Sequence, residues 1–305
     1  MPTWTHTLDQ SRICGPQLRR DYSEQRRLVA QFARAEYAAV RLLLQPSLVP
    51  DVIAATAFMH HSDNLIDQGS RSERLVALAD WDRQVQTALG SDRSDQPVLR
   101  TLIHAITRHP QLREHVEQFL QGAQLEVEWE DFSSESDFQR YIDAYSLPAF
   151  MLIACLLASH SSTPDYRASC RTFIEASQRL DFLEDIAEDL ATGRLGIPQD
   201  ALALHGVNRD DLHQARATAG VRELIRHQVA QIRPGLTASY GLVDLVEPLS
   251  RPLTHALVTL QELRLRAVAK AGTTLLRRAT SPSVVAALGV LAREYRVSRR
   301  QRGDH

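Results

Sequence analysis

The stretch Ser177-Gln178-Arg179-Leu180-Asp181-Phe182-Leu183-Glu184-Asp185-Ile186-Ala187-Glu188-Asp189-Leu190-Ala191-Thr192-Gly193-Arg194 decides how the rest of the chain is read. It holds no proline and no interior glycine, most of its residues are good helix formers, and Gly193 is placed to cap the C-terminus. Asp181, Asp185 and Asp189 recur at i, i+4 and i+8, so a continuous helix stacks them on one face, with Gln178 just above. Leu180, Leu183, Ala187 and Leu190 make an apolar stripe beside them. Like charges at this spacing repel, which calls for a compensating charge. A divalent cation is the obvious candidate.

A second pair with the same spacing, Asp63 and Asp67, lies upstream in Phe58-Met59-His60-His61-Ser62-Asp63-Asn64-Leu65-Ile66-Asp67. Asp63 continues the stripe Val52, Thr56, Met59, where the helical period asks for a core residue. Burying an unpaired carboxylate costs several kcal/mol. Two such helices facing each other across a cavity can share metal ions. The all-oxygen donor set suits Mg²⁺, which bridges protein carboxylates to substrate phosphates. His60-His61 offers transition-metal ligands, but reads better as a hydrogen-bonded or surface pair.

The chain of 305 residues is 44% hydrophobic and 24% charged, an ordinary globular composition. A net charge of −2 gives no reason to expect nucleic acid or an anionic membrane as partner, and the basic run from Arg296 to Arg302 reads as a solvated tail. Cys14, Cys155 and Cys170 form no close-spaced pair, which fits a reducing cytoplasm. There is no signal-peptide pattern. The longest apolar run, Ala149 to Ala158, is too short to span a bilayer and reads as a buried helix centre.

Helical periodicity runs throughout. The pattern predicts helices over 22–44, 52–67, 72–89, 98–107, 111–128, 136–159, 165–192, 210–232, 249–270 and 283–296, with breaks at Pro46, Pro50, Gly69, Gly90, Pro110 and Pro198. No period-2 strand and no repeat interrupts it. The expectation is an all-α, single-domain helical bundle over residues 1–305 with a central active-site cavity and flexible ends at 1–20 and 297–305. Glycine-rich phosphate loops, cysteine zinc pairs, His-Glu-x-x-His and Gly-x-Ser-x-Gly are absent from the sequence.

Asp63-x-x-x-Asp67, together with Gln178, Asp185-x-x-x-Asp189, Gly193-Arg194 and Pro198, resembles the squalene/phytoene synthase family. The resemblance runs from about residue 30 to 270, and Trp81 and the Gly122 helix fit its spacing. It implies an all-α isoprenoid synthase that binds a prenyl diphosphate through Mg²⁺ held by Asp63, Asp67, Asp185 and Asp189. Diphosphate leaves readily only when its charge is neutralised. Gln178, Asp181, Glu184, Arg194, Tyr141, Tyr145 and Phe58 are the expected substrate contacts, and Phe150 and Phe182 further walls of a dry cavity for an allylic cation.

The departures from the pattern bear on the acceptor. Head-to-head synthases of this family carry Arg and Asn where this chain has Glu184 and Asp181. Their small Ala-Gly-x-x-Gly segment is replaced here around Tyr145-Ser146-Leu147-Pro148, and their Ser-Phe motif appears as Glu36-Tyr37 or is absent. What is lost concerns a second diphosphate and a second long chain. The favoured expectation is therefore prenyl transfer to a small aromatic acceptor of the carbazole type in bacterial secondary metabolism, by a monomer or homodimer. The alternatives are head-to-head condensation of two prenyl diphosphates, a non-catalytic helical scaffold, and a terpene cyclase. Glu184 is expected either to pair with Arg179 or Arg194, or to contact the acceptor.

Overall fold

The helix starts are encoded as caps. The computed structural model describes residues 2–67, 69–159 and 164–303. Thr3 caps α1 (Trp4–Gln10), and Pro16 opens α2 (Pro16–Phe32) in the first turn, where its missing N–H is not needed. The expected 22–44 helix is broken at Ala33, whose φ/ψ of −122/58 is not helical, so α3 (Arg34–Leu43) sets off in a new direction. Pro50, expected to break the chain, lies in the first turn of α4 (Val49–Asp67) and is tolerated there. Ser70 and Glu73 form a capping box for α5 (Arg71–Ser91). Then follow α6 (Pro97–Arg108) and α7 (Leu112–Glu128).

Ser134 and Asp137 cap α8 (Glu135–Tyr141), which runs through a π-turn, Ile142–Ser146, into α9 (Leu147–Leu157). The π-turn has a cause in sequence: Pro148 has no N–H for the carbonyl of Ala144 and its ring would crowd that carbonyl in an α-helix. The continuous run Glu135–Leu157, 23 residues, is long and apolar enough to cross a membrane, but 61% of its apolar window is buried inside the protein. It packs as core, as the 149–158 run suggested.

The expected 165–192 helix is two helices, α10 (Pro164–Glu184) and α11 (Ile186–Ala191), with Asp185 at φ/ψ −93/7 between them. Short helices α12 (Gln199–Leu204) and α13 (Arg209–His213) lead to α14 (Ala219–Ala238), which continues past Pro234. Then come α15 (Leu242–Leu245), α16 (Arg251–Ala271) and α17 (Val284–Gly303). Two isolated bridges, Asp131 with Leu195 and Ala158 with Val246, are the extended pairings among the described residues. The fold is all-α.

One large apolar core gathers α2, α4, α6, α7, α9 and the start of α16, and a second gathers α10, α11, α14 and the end of α16. Described residues within the two segments expected as loose ends are engaged. Trp4 donates to Ser23 Oγ at 3.0 Å, and Ile13 is fully buried. At the other terminus Ser298 donates to the carbonyl of Leu43 at 3.2 Å, and Arg302 to that of Leu44 at 2.6 Å, capping α3.

Candidate functional site

Asp63 lies on the inner side of α4 near its C-terminal end, and burial pushes its carboxyl up to about 7 despite a hydrogen bond from the Tyr145 hydroxyl, 2.9 Å from Oδ1. Asp67, one turn later, is exposed at the helix end. Its charge, with that of Glu126, raises Asp63 further.

On the other side Asp185 occupies the break between α10 and α11. Asp181, Asp185 and Asp189 therefore do not share one uninterrupted helix. Asp185 and Asp189 stay one turn apart, because Asp189 N–H donates to the Asp185 carbonyl at 2.9 Å. Burial raises both carboxyls, that of Asp189 to about 6 with help from the neighbouring charge of Asp185. Asp189 Oδ2 is buried with no hydrogen-bond partner.

Gly193 closes α11 as the sequence predicts. Its φ of +85 suits glycine, its N–H donates to Leu190, and Arg194 N–H donates to Asp189, the paired bonds of a Schellman cap. This cap directs the Arg194 guanidinium back over the Trp129 ring, 5.0 Å from its centroid, and to Glu126 Oε1 at 3.5 Å. Leu195 N–H then donates to the Glu130 carbonyl at 3.0 Å, fixing the loop.

Glu126 was not anticipated. It sits on α7 with its carboxyl pushed up by burial, takes a hydrogen bond from the Tyr141 hydroxyl, and feels Arg194 and Asp67. Arg194 in turn lowers Asp189. Glu126 and Arg194 thus join the two aspartate pairs into one electrostatic neighbourhood. The signal was available: Glu126 continues the α7 stripe Phe119, Gly122, Ala123, just as Asp63 continues that of α4.

A column of rings runs beside this neighbourhood. Phe58 meets Phe119, which meets Tyr145, then Tyr141, Phe182 and Trp129, at centroid separations of 6.1, 5.8, 5.6, 6.0 and 5.0 Å. Phe58 is wholly buried and also stacks on Trp81. Phe150 is not in the column; it packs on Phe173 at the edge of an apolar void of about 10 Å³. Tyr145 is held in place by a close approach of α7 to the π-turn: a Cβ on Gly122 would lie 1.7 Å from the Ala144 carbonyl oxygen.

Gln178 accepts from Ser146 Oγ at 3.1 Å, tying α10 to the π-turn. Glu184 pairs with neither expected arginine. Arg179 is engaged by Glu135 and Glu175. The partner of Glu184 is Arg264 of α16, whose Nε donates to Oε2 at 3.0 Å while Nη2 donates to Asp181 Oδ1 at 2.6 Å. Arg264 lies 80 residues away in sequence, and no local pattern points to it. His60 bonds Asn64 at 3.0 Å and His61 lies against Trp81.

Among the described residues no three Asp, Glu, His or Cys side chains converge closely enough to hold a metal ion unaided. The donor chemistry nonetheless fits a hard cation that takes only one or two protein carboxylates and completes its shell with phosphate and water. The buried Asp189 Oδ2 has no hydrogen-bond partner, and the Asp63, Asp185 and Asp189 carboxyls, raised first by burial and then by neighbouring carboxylates, carry charge that a cation would stabilise. A surface cleft of about 930 Å³ lies elsewhere, between α5 and α6, and includes neither pair; its Arg100 is already bound to Asp21.

Residues 31–287 match the family model described as squalene/phytoene synthase. The chain belongs to the squalene/phytoene synthase family. Membership places it among the prenyltransferases, enzymes that transfer alkyl groups. It is 26% identical over 219 residues to the bifunctional CrtB/UppS protein of Streptomyces coelicolor, covering 72% of this chain but 38% of that one. It is 23% identical to the phytoene synthase of Arthrospira platensis, covering 78% and 81%. Among solved structures it resembles squalene synthase HpnC from Alicyclobacillus acidocaldarius (TM-score 0.77, 22% identity, 86% of this chain and 98% of that one). It also resembles a dehydrosqualene synthase (TM-score 0.79, 18% identity, 93% and 98%). These structural likenesses speak to the fold.

Proposed function

We propose that this protein ionises an allylic prenyl diphosphate and joins the prenyl group to a second prenyl diphosphate, head to head. The observation that carries the reading is the link between the two aspartate pairs through Glu126 and Arg194, 3.5 Å apart, with Glu126 acting on Asp63 and Arg194 on Asp189. Mg²⁺ ions, each taking one or two of these carboxylates, would neutralise the departing diphosphate. Arg194 would donate hydrogen bonds to phosphate oxygens in exchange for its long contact with Glu126. Tyr141, Tyr145 and Phe182 exclude water and present aromatic faces to a carbocation.

Two observations favour this acceptor over the aromatic one expected from sequence. Relatives described above are named for phytoene and squalene synthesis. Glu184, the carboxylate offered as an acceptor contact, is occupied by Arg264. Transfer to a carbazole-type aromatic is the second reading, and Tyr145 favours it because its ring narrows the space beside Asp63. In either case the protein acts as a single domain in a reducing cytoplasm, consistent with three free cysteines.

The test is incubation with C5, C10, C15 and C20 diphosphates, each with and without an aromatic acceptor, with and without Mg²⁺. Mg²⁺-dependent products of doubled carbon number support condensation. Prenylated aromatics alone establish the second reading. Asp63→Ala and Asp185→Ala are expected to lose at least roughly 100-fold in turnover with helicity retained; full activity in either rejects the site.

A further inference from the structure

The C-terminal helix carries a surface that neither the site nor the family accounts for. The family match ends at residue 287, in the first turn of α17. One side of α17 faces the body of the protein. Glu294 and Ser298, both buried, meet His255 at 3.1 Å and the Leu43 carbonyl at 3.2 Å. The opposite side is solvent-exposed and graded along the axis. Val285, Leu288 and Ala292 occupy its first half, Arg296 and Arg299 its second, all within one helical face by the 3.6-residue period. Val284, Val285 and Leu288 are 72, 80 and 59% exposed. Of the eight exposed large apolar side chains among the described residues, α17 holds four.

Charge surrounds the apolar end. A cleft of about 710 Å³ between α16 and the start of α17 is lined by Arg266, Lys270 and Arg278 together with the hydroxyl residues Thr280, Ser281 and Ser283, and by no carboxylate. From 265 to 302 the chain has nine arginines and lysines against one acid, the buried Glu294, although the whole chain is net −2. An apolar ridge rimmed by cations on a helix that keeps its opposite side docked matches the chemistry of an anionic phospholipid surface: acyl chains for Val284, Val285 and Leu288, headgroup phosphates for the arginines.

We propose that α17 and the adjoining basic cleft dock this protein on anionic lipid bilayers, laid flat and without spanning them. The reading is independent of which acceptor the site uses. The test is sedimentation of the full chain with phosphatidylcholine vesicles, with and without phosphatidylglycerol. Co-sedimentation is expected only with phosphatidylglycerol, and is expected to be reversed by high salt. Val285→Asp with Leu288→Asp is expected to lower partitioning by roughly tenfold per side chain. Arg296→Ala with Arg299→Ala is expected to lower it about fivefold per charge. All four positions are exposed, so circular dichroism and prenyl diphosphate turnover are expected to stay unchanged. Failure to bind phosphatidylglycerol vesicles at low salt overturns the proposal, as does binding that both variant pairs leave intact. A lipid-free dimer in sedimentation velocity that Val285→Asp/Leu288→Asp dissolves assigns the face to a second copy of the chain and equally overturns it.

Discussion

The Tyr145 hydroxyl lies 2.9 Å from Asp63 Oδ1, while its ring sits between those of Phe119 and Tyr141. One residue thus holds a carboxylate of the candidate site that burial pushes up, and also shapes the space beside it. The hydrogen bond draws the Asp63 carboxyl down against the upward push of burial. Tyr145→Phe is expected to raise the Asp63 pKa and move the acidic limb of the kcat/KM pH profile to higher pH, with the fold intact. An unmoved acidic limb shows that Asp63 ionisation does not govern turnover.

The bulk of Tyr145 predicts donor length. With Tyr145 in the ring column and Pro148 buried behind it, C5 or C10 diphosphate is expected to be used in preference to C15 and C20. Tyr145→Ala is expected to shift the preference toward longer donors. Competition among the four donors measures this, and a wild-type preference for C20 contradicts it.

Asp63 also makes stability depend on pH. Its folded pKa, about 7, lies above the ordinary 3.8, so the folded state holds a proton that the unfolded chain releases. Its contribution is present at low pH and is lost as pH rises from about 4 through about 7. Glu126, Asp185 and Asp189 act in the same direction. Burial lowers His61, His104 and His115, and these act oppositely. Comparing Asp63→Asn with wild type isolates the aspartate. The variant is expected to gain stability on wild type by more than about 1 kcal/mol between pH 5 and pH 8 in metal-free buffer. A pH-independent difference in denaturant unfolding contradicts it.

The Arg264 ion pairs are structural. Glu184→Ala is expected to cost about 1–3 kcal/mol, less than a fully enclosed pair because Arg264 is partly exposed. Arg264→Ala leaves Glu184 and Asp181 without their counter-charge and is expected to cost more. The double variant is expected to recover part of the loss, a coupling of at least about 1 kcal/mol in a double-mutant cycle. Additive losses indicate that the pair contributes nothing specific.

Gly122→Ala reverses a general rule. On an open helix this change stabilises by about 1 kcal/mol. Here the new Cβ meets the Ala144 carbonyl, backbone that cannot swing aside. A loss of about 1–3 kcal/mol is expected in thermal or denaturant unfolding, accompanied by reduced turnover as the π-turn displaces Tyr145. Wild-type stability in the variant indicates that α7 and the π-turn separate freely.

The sequence by itself determined the helical class, most helix positions, the two aspartate pairs, the Gly193 cap and the family. These are local properties: a 3.6-residue period, capping residues and four-residue spacings are written in consecutive positions. It misplaced the helix breaks at Ala33 and Asp185, because Ala is the best helix former and a single Asp costs a helix only a few tenths of a kcal/mol, too weak a local signal to mark a break. Pro50 shows the converse, a residue read as a breaker that the first turn of a helix accommodates. Tertiary structure alone decided that Arg264 answers Glu184, that Glu126 stands between the aspartate pairs, and that the rings from Phe58 to Trp129 form one column. Each of these joins residues on different helices, whose meeting depends on how the helices pack, and spacing along the chain carries no record of that.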